Sequence, residues 1–103
     1  MDSQLKRGIL NMCILQLLKD DDRYGYDLIK NLKNFFPETE ESTLYAILRR
    51  LNKEGLTDMY YSEVSCGPKR KYYRITHKGK ECLDEYIRSW KKIEYIFSEI
   101  GIL

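Results

Sequence analysis

The sequence predicts a mainly α-helical domain that contains one small β-hairpin and ends in a long helix. Over most of the chain, apolar residues recur every three or four positions, as on one face of an α-helix. Between residues 57 and 75 they recur every two positions, as on one face of a strand. At 103 residues, 43% of them apolar and 33% charged, the chain has the size and composition of a single globular domain.

Positive charge is concentrated in the middle of the chain. The net charge is only +2, but residues 42–80 carry 9 Lys/Arg against 3 Asp/Glu. The blocks before and after, residues 1–41 and 81–103, each have a net charge of −2. A basic block of this kind is expected of a surface that binds phosphate groups.

Other classes of function have little support in the residues. Cys13, Cys66 and Cys82 lie far apart, and His77 is the single histidine, so no structural zinc site is expected. The chain has no glycine-rich phosphate loop and no paired nucleophile and base, which argues against an enzyme and against a cofactor. It has no stretch long and apolar enough for a membrane span, and its thiols fit a reducing cytoplasm.

The first helix is predicted over residues 3–19. From Ile9 onward its apolar side chains cover more than half of the circumference, whereas a surface helix needs a stripe of only about 100°. This helix is therefore expected to contact apolar neighbours on two sides, namely its own domain and a second surface.

The motif Tyr24-Gly25-Tyr26 opens the second helix, which ends before Pro37, since the residue before a proline disfavours helix. A short turn over residues 37–40 leads into the third helix. Two helices joined in this way form a helix-turn-helix. The inner face of the second helix is predicted to contain Leu28, Ile29, Leu32 and either Phe35 or Phe36.

The third helix, residues 41–55, has one aliphatic and one basic face. Leu44, Leu48 and Leu51 form a stripe with Ile47 at its edge, and Gly55 stands where a C-terminal cap belongs. The other side, with Tyr45 on its flank, contains Ser42, Ala46, Arg49, Arg50 and Lys53. A helix that reads the major groove needs this combination. The pattern also fits an ordinary amphipathic helix with a solvated basic face.

A β-hairpin is predicted after Gly55, with strands at residues 57–64 and 70–75 and a turn that contains Gly67. Together with the helix-turn-helix it makes a winged helix. Four cations of the wing would lie beside the reading helix, where they can contact backbone phosphate: Lys69, Arg70, Lys71 and Arg74. Alternatively, these charges only protect a strand edge from aggregation.

The last helix is predicted over residues 77–100, with Thr76 as its N-cap. Its apolar residues follow the spacing of a coiled-coil seam: Leu83, Tyr86, Trp90, Ile93, Phe97 and Ile100. At about 36 Å the helix is longer than the head can cover, so we predict a homodimer built on it and on the first helix. The alternative is a helix folded back on its own domain. The expected division is a DNA-binding domain over residues 1–76 and a dimerisation helix over residues 77–103.

The motifs resemble those of the PadR family of bacterial transcriptional regulators, in its short form with one C-terminal helix. The matching residues are Gly8-Ile9-Leu10, Tyr24-Gly25-Tyr26, Thr43-Leu44-Tyr45 with Leu48, Leu51 and Gly55-Leu56, and Gly67-x-x-Arg70-Lys71-Tyr72-Tyr73-Arg74-Ile75-Thr76-x-x-Gly79. The resemblance implies a dimeric winged-helix repressor that an effector releases from DNA.

By the family pattern, the DNA contacts would come from the reading helix and the wing. The pattern gives Thr43, Tyr45, Arg49 and Arg50 on the helix and Lys69, Arg70 and Lys71 on the wing, and the outward face of the helix adds Ser42 and Lys53. A dimer would place two reading helices in successive major grooves, about 34 Å apart, on a near-palindromic site in double-stranded DNA. The chain departs from the family at Glu40 and Glu41, where acidic side chains suit the helix dipole but repel phosphate.

An effector site is predicted at the centre of the dimer. Trp90 is the single tryptophan, and facing its symmetry mate it would form a slot for a planar aromatic molecule, as in some short members of the family. Glu94 would favour a cationic ligand. The remaining wall is assigned to Asn11, Met12 and Ile93. The alternative is that Trp90 only fills the interface.

Two other functions remain open at the level of sequence. A winged helix can bind a protein instead of DNA. A regulator can also respond to oxidants, here through Cys66 in the wing.

Overall fold

The computed structural model of the chain describes residues 1–63 and 67–103. The structure has four helices and a small three-stranded antiparallel sheet, which confirms the predicted fold class. In chain order the elements are α1 (Ser3–Leu17), β1 (Arg23–Tyr24), α2 (Gly25–Phe35), α3 (Glu41–Lys53), β2 (Thr57–Ser62), β3 (Arg70–Ile75) and α4 (His77–Ile100). The predictions that involve Val64 and Cys66 lie outside the described residues.

The strand order is β1-β3-β2, so the predicted hairpin has a third strand that the sequence did not indicate. Tyr24 pairs with Tyr72, and Arg23 pairs with Tyr73. The motif Tyr24-Gly25-Tyr26 predicts only the start of a helix, because a strand of two residues is too short to show an alternation of apolar and polar residues. The same strand shortens α1, since the Arg23 guanidinium donates a hydrogen bond to the Leu17 carbonyl at the end of that helix.

One apolar core joins all four helices to the sheet. Its fully buried side chains are Leu10, Ile14, Leu15, Leu18, Leu28, Ile29, Leu32, Leu44, Leu48, Leu51 and Leu83. Phe36 packs against this core whereas Phe35 is 72% exposed, which resolves the choice between them. Tyr73 is buried and Ile75 is packed against the core, so they share the inner face of β3, as its alternation predicted.

The start of α4 is tied closely to the end of α3. The Thr76 hydroxyl accepts from the Gly79 amide at 3.0 Å, which confirms the predicted N-cap, and it donates to the Gly55 carbonyl at 2.7 Å. A Cβ at Gly79 would lie 2.1 Å from the Leu56 carbonyl oxygen, so only glycine fits here. These contacts set the angle at which α4 leaves the head.

The later part of α4 extends away from this head. Leu83 is buried, but Tyr95 and Ile100 are 66% and 71% exposed. The radius of gyration is 15.4 Å, larger than the about 13 Å of a compact chain of this length. Within the described residues, no helix combines the length and the apolar character that crossing a membrane requires.

Candidate nucleic-acid interface

The reading helix α3 is held by one face and exposes the other. Leu44, Ile47, Leu48 and Leu51 are buried, as the aliphatic stripe predicted. The opposite side, made by Ser42, Ala46 and Lys53, is exposed. Small side chains in its first turns leave the helix backbone accessible, which favours close approach to the edges of bases.

The two ends of α3 are capped in different ways. At the N-terminus the Glu40 carbonyl accepts from the amides of Thr43 and Leu44, at 3.1 and 3.2 Å, and the Glu40 side chain is exposed. At the C-terminus Gly55 has φ +79°, and the Leu56 amide donates to the Leu51 carbonyl at 3.0 Å. This is the glycine cap that the sequence predicted.

On one side of α3 lies a groove shared with the sheet, which we call the wing flank. It has a volume of about 260 Å³, and its lining residues are Tyr24, Gly25, Tyr26, Tyr45, Arg49, Lys71 and Tyr73. The structure thus brings together three predicted DNA contacts, Tyr45, Arg49 and Lys71. Burial, and after it the Glu41 carboxylate, raises the pKa of Tyr45, so its hydroxyl remains a donor at neutral pH.

The other cations of the wing are placed differently. The Arg70 guanidinium carbon lies 5.0 Å from the centre of the Tyr24 ring, and Arg74 lies 5.4 Å from that of Tyr60. In the described part of the wing, Arg74 also pairs with Asp58 at 3.8 Å, and Lys69 pairs with Glu63 at 3.8 Å. Both pairs are exposed, so they contribute little stability and leave the cations available to a phosphate.

On the other side of α3 lies a groove shared with α1, which we call the α1 flank. Its volume is about 490 Å³. It contains three predicted contacts, Ser42, Thr43 and Arg50, together with Lys6 and Arg7, which sequence reasoning missed. Those two residues belong to the block with negative net charge, and only the packing of α1 on α3 places them beside the basic helix.

Within one chain, the residues predicted to line an effector site do not share a single pocket. Asn11 accepts a hydrogen bond from Arg50 and donates one to the Tyr86 hydroxyl, both 3.4 Å long. Met12 instead lines an apolar groove of about 420 Å³ between α1, α2 and α4. Trp90 and Ile93 are half-buried farther along α4, and Glu94 is exposed.

Two of the three cysteines lie in the described residues, and both are half-buried thiols. Burial raises the pKa of Cys13, and burial followed by the Glu85 carboxylate raises that of Cys82. Both thiols are therefore protonated and weakly nucleophilic at neutral pH.

Comparison with known proteins decides the family. The pattern of the transcriptional regulator PadR-like family matches residues 14–85. This chain belongs to the PadR-like family of transcriptional regulators. The match covers more than half of the chain and confirms the resemblance drawn from the motifs.

Several relatives match this family member over nearly its whole length. A protein of Lysinibacillus sphaericus is 43% identical over 97 residues, which cover 91% of this chain and 89% of that one. A PadR-like transcriptional regulator of Bacillus cereus superposes with a TM-score of 0.83 at 37% identity, over 95% of this chain and 96% of the other. A PadR-like transcription factor of Bacteroides fragilis gives 0.81 at 38% identity, over 95% of both chains.

The family and the exposed basic helix together assign the class of function. The protein is a DNA-binding transcriptional regulator of the PadR-like family. This family comprises transcriptional regulators rather than enzymes, in agreement with the residues.

Proposed function

We propose that this PadR-like protein is a homodimeric repressor that binds a near-palindromic operator and is released from it by a small planar effector. The observation that carries this proposal is the exposed apolar end of α4. Trp90, Ile93 and Phe97 are only half-buried, and Ile100 is 71% exposed, on a helix that extends beyond the head. A second copy would cover this surface and complete the seam.

In this dimer each chain contributes one head and one seam. The head, residues 1–76, reads DNA through α3 and the wing, and residues 77–103 dimerise. Because Leu83 is buried in the head core of its own chain, the contacts with the partner fall mainly on the part of α4 after Ile87. The proposed DNA contacts are Ser42, Thr43, Tyr45, Arg49, Arg50, Lys53, Lys69, Arg70 and Lys71.

The proposed effector site is formed by Trp90 and its symmetry mate. Two indole rings that face each other leave a slot in which a flat aromatic molecule stacks. Glu94, one turn farther along α4, adds negative charge that favours a cationic ligand. A planar molecule in the seam would change the angle between the two heads, and with it the separation of the two reading helices.

The first test is fluorescence anisotropy of a labelled duplex taken from upstream of this protein's own coding sequence. Binding is measured at several salt concentrations against a scrambled duplex, with the protein mass followed by light scattering. A dimer that prefers the upstream duplex and weakens with salt supports the proposal. Equal binding to both duplexes, or a monomer at micromolar concentration, contradicts it. Salt-independent binding would favour a protein-binding winged helix.

The second test addresses the effector. A panel of planar cationic dyes is screened for quenching of Trp90 and for release of the duplex. Quenching is read on wild type, because Trp90 is the single tryptophan, and Trp90→Ala should bind the duplex but no longer release it when the dye is added. Tyr95→Ala is the matched control, because Tyr95 is an exposed aromatic residue on the opposite side of α4. Release that persists in Trp90→Ala would exclude this site.

A further inference from the structure

The α1 flank has the chemical character of an anion site. It is lined by three cations, Lys6, Arg7 and Arg50, and by the hydroxyls of Ser3, Ser42 and Thr43. Its remaining lining residues are apolar, and the described chain places no carboxylate in the lining. Ammonium, guanidinium and hydroxyl groups are the side-chain donors that most often meet the phosphates of DNA.

The packing of α1 puts these cations beside α3. Leu10 is buried against the core, and it shares a helix face with Ser3, Lys6 and Arg7 at the spacing of 3, 4 and 7 residues. The buried leucine therefore orients this face toward α3. The nearest carboxylate in sequence, that of Asp2, accepts from the Gln4 and Leu5 amides at 2.8 and 3.3 Å and caps α1.

Arg50 forms the inner end of this groove. Its side chain is 38% exposed, and its guanidinium donates to the Asn11 amide oxygen at 3.4 Å and lies 4.0 Å from the Glu54 carboxylate. These contacts turn Arg50 toward α1, away from the centre of the outward face of α3. Arg50 lines the same groove as Lys6 and Arg7.

We propose that the α1 flank binds a backbone phosphate of DNA, on the strand opposite to the one that the wing contacts. The inference rests on the proposed function of α3 as the reading helix. The major groove is about 12 Å wide and an α-helix with its side chains is about 10–12 Å across, so a helix in this groove has a phosphate strand on each side. The wing flank serves one strand, and Lys6, Arg7 and Arg50 serve the other.

The test compares two double variants of the full-length protein that remove the same charge. Lys6→Gln with Arg7→Gln alters the α1 flank, and Lys91→Gln with Lys92→Gln alters an exposed site on α4. The melting temperature of each variant is first compared with that of wild type. The anisotropy of the upstream and of the scrambled duplex is then measured over a series of salt concentrations. The α1-flank variant should bind both duplexes about tenfold more weakly, and its log–log salt slope should fall by about 0.9 for each lost phosphate contact. The control should retain the wild-type slope.

Each other outcome overturns the inference. An unchanged salt slope in the α1-flank variant would contradict the phosphate site but not the proposed function. A wild-type protein that binds neither duplex would contradict the phosphate site and the proposed function together. An equal loss in the Lys91 and Lys92 control means a general effect of net charge. Inorganic phosphate is titrated at constant ionic strength in a further arm, and release of DNA by phosphate from wild type but not from the α1-flank variant means a site for a free anion.

Discussion

The two flanks of α3 face the same kind of ligand but are built in different ways. The wing flank rests on a sheet, where Lys71 lies 5.7 Å from the centre of the Tyr73 ring. Across the strands the Tyr72 ring stacks on Tyr60 and lies tilted against Tyr24. The α1 flank rests on the packing of two helices. Lys6 and Arg7 lie on α1, one turn before the buried Leu10, and Arg50 lies on α3. The sheet restrains its cations with aromatic rings, whereas Lys6 and Arg7 extend from a helix end and keep more rotamer freedom.

This difference predicts different roles at a DNA surface. The planar guanidinium of Arg49, which lines the wing flank, suits the edge of a base, because it can donate two parallel hydrogen bonds. A flexible cation contributes attraction to phosphate that hardly depends on sequence. We therefore expect specificity to depend mainly on the wing flank, and salt dependence to depend on both flanks.

The largest expected effect comes from breaking the support of the wing. Gly79→Ala would place a methyl group 2.1 Å from the Leu56 carbonyl oxygen and force α4 and the hairpin apart. We expect a loss of about 3 kcal/mol of stability or more, measured by urea unfolding. Lys80→Ala, at the exposed next position, is the control and should be near neutral. Wild-type stability in Gly79→Ala would mean that this contact is not tight.

Arg49→Gln tests whether the sequence specificity of DNA binding depends on the wing flank. It should weaken binding to the upstream duplex by about 1–3 kcal/mol and change binding to the scrambled duplex much less. Lys92→Gln, at an exposed position of α4 outside the proposed DNA contacts, serves as the charge-matched control. Equal losses on the two duplexes would show that Arg49 contacts phosphate, and the proposed division of roles would fail.

Asn11→Ala tests whether the α1 flank is connected to α4. Asn11 bonds both Arg50 and Tyr86, so its loss should lower the free energy of unfolding by about 1 kcal/mol and weaken DNA binding a few-fold. Tyr86→Phe removes only the second bond and should affect stability more than DNA affinity. Additive effects of Asn11→Ala and Tyr86→Phe in a double-mutant cycle would show that these two side chains do not interact, and would contradict the connection to α4.

The smallest expected effect is a pH dependence within the wing. The Tyr60 hydroxyl donates to Asp22 at 2.6 Å, and this hydrogen bond is the main cause that raises the pKa of Tyr60 above its ordinary value of 10.0. Its contribution to stability is therefore complete below about pH 10 and is lost as the pH rises through the raised pKa. Melting temperatures of wild type and Tyr60→Phe should differ near neutral pH and converge in strong alkali. A constant difference would contradict this assignment.

Much of the architecture was predictable, and the reason is periodicity. The bounds of β3 and α4 agree with the prediction, as do the buried stripe of α3, its Gly55 cap and the Thr76 N-cap. Each of these features is set by residues close together in the chain. β1 was missed, because its two residues become a strand only by pairing with Tyr72 and Tyr73 about fifty positions away.

The sequence by itself determined the fold class, the family and the identity of the reading helix, because local periodicity, caps and contiguous motifs encode them. Only the tertiary structure decided which charges share a surface. It put Lys71 with Arg49 on one flank, turned Arg70 and Arg74 toward tyrosine rings, and brought Lys6 and Arg7 to the other flank. The physical reason is that a surface collects side chains by packing, and the burial of Leu10 joins segments that are about forty residues apart in the chain.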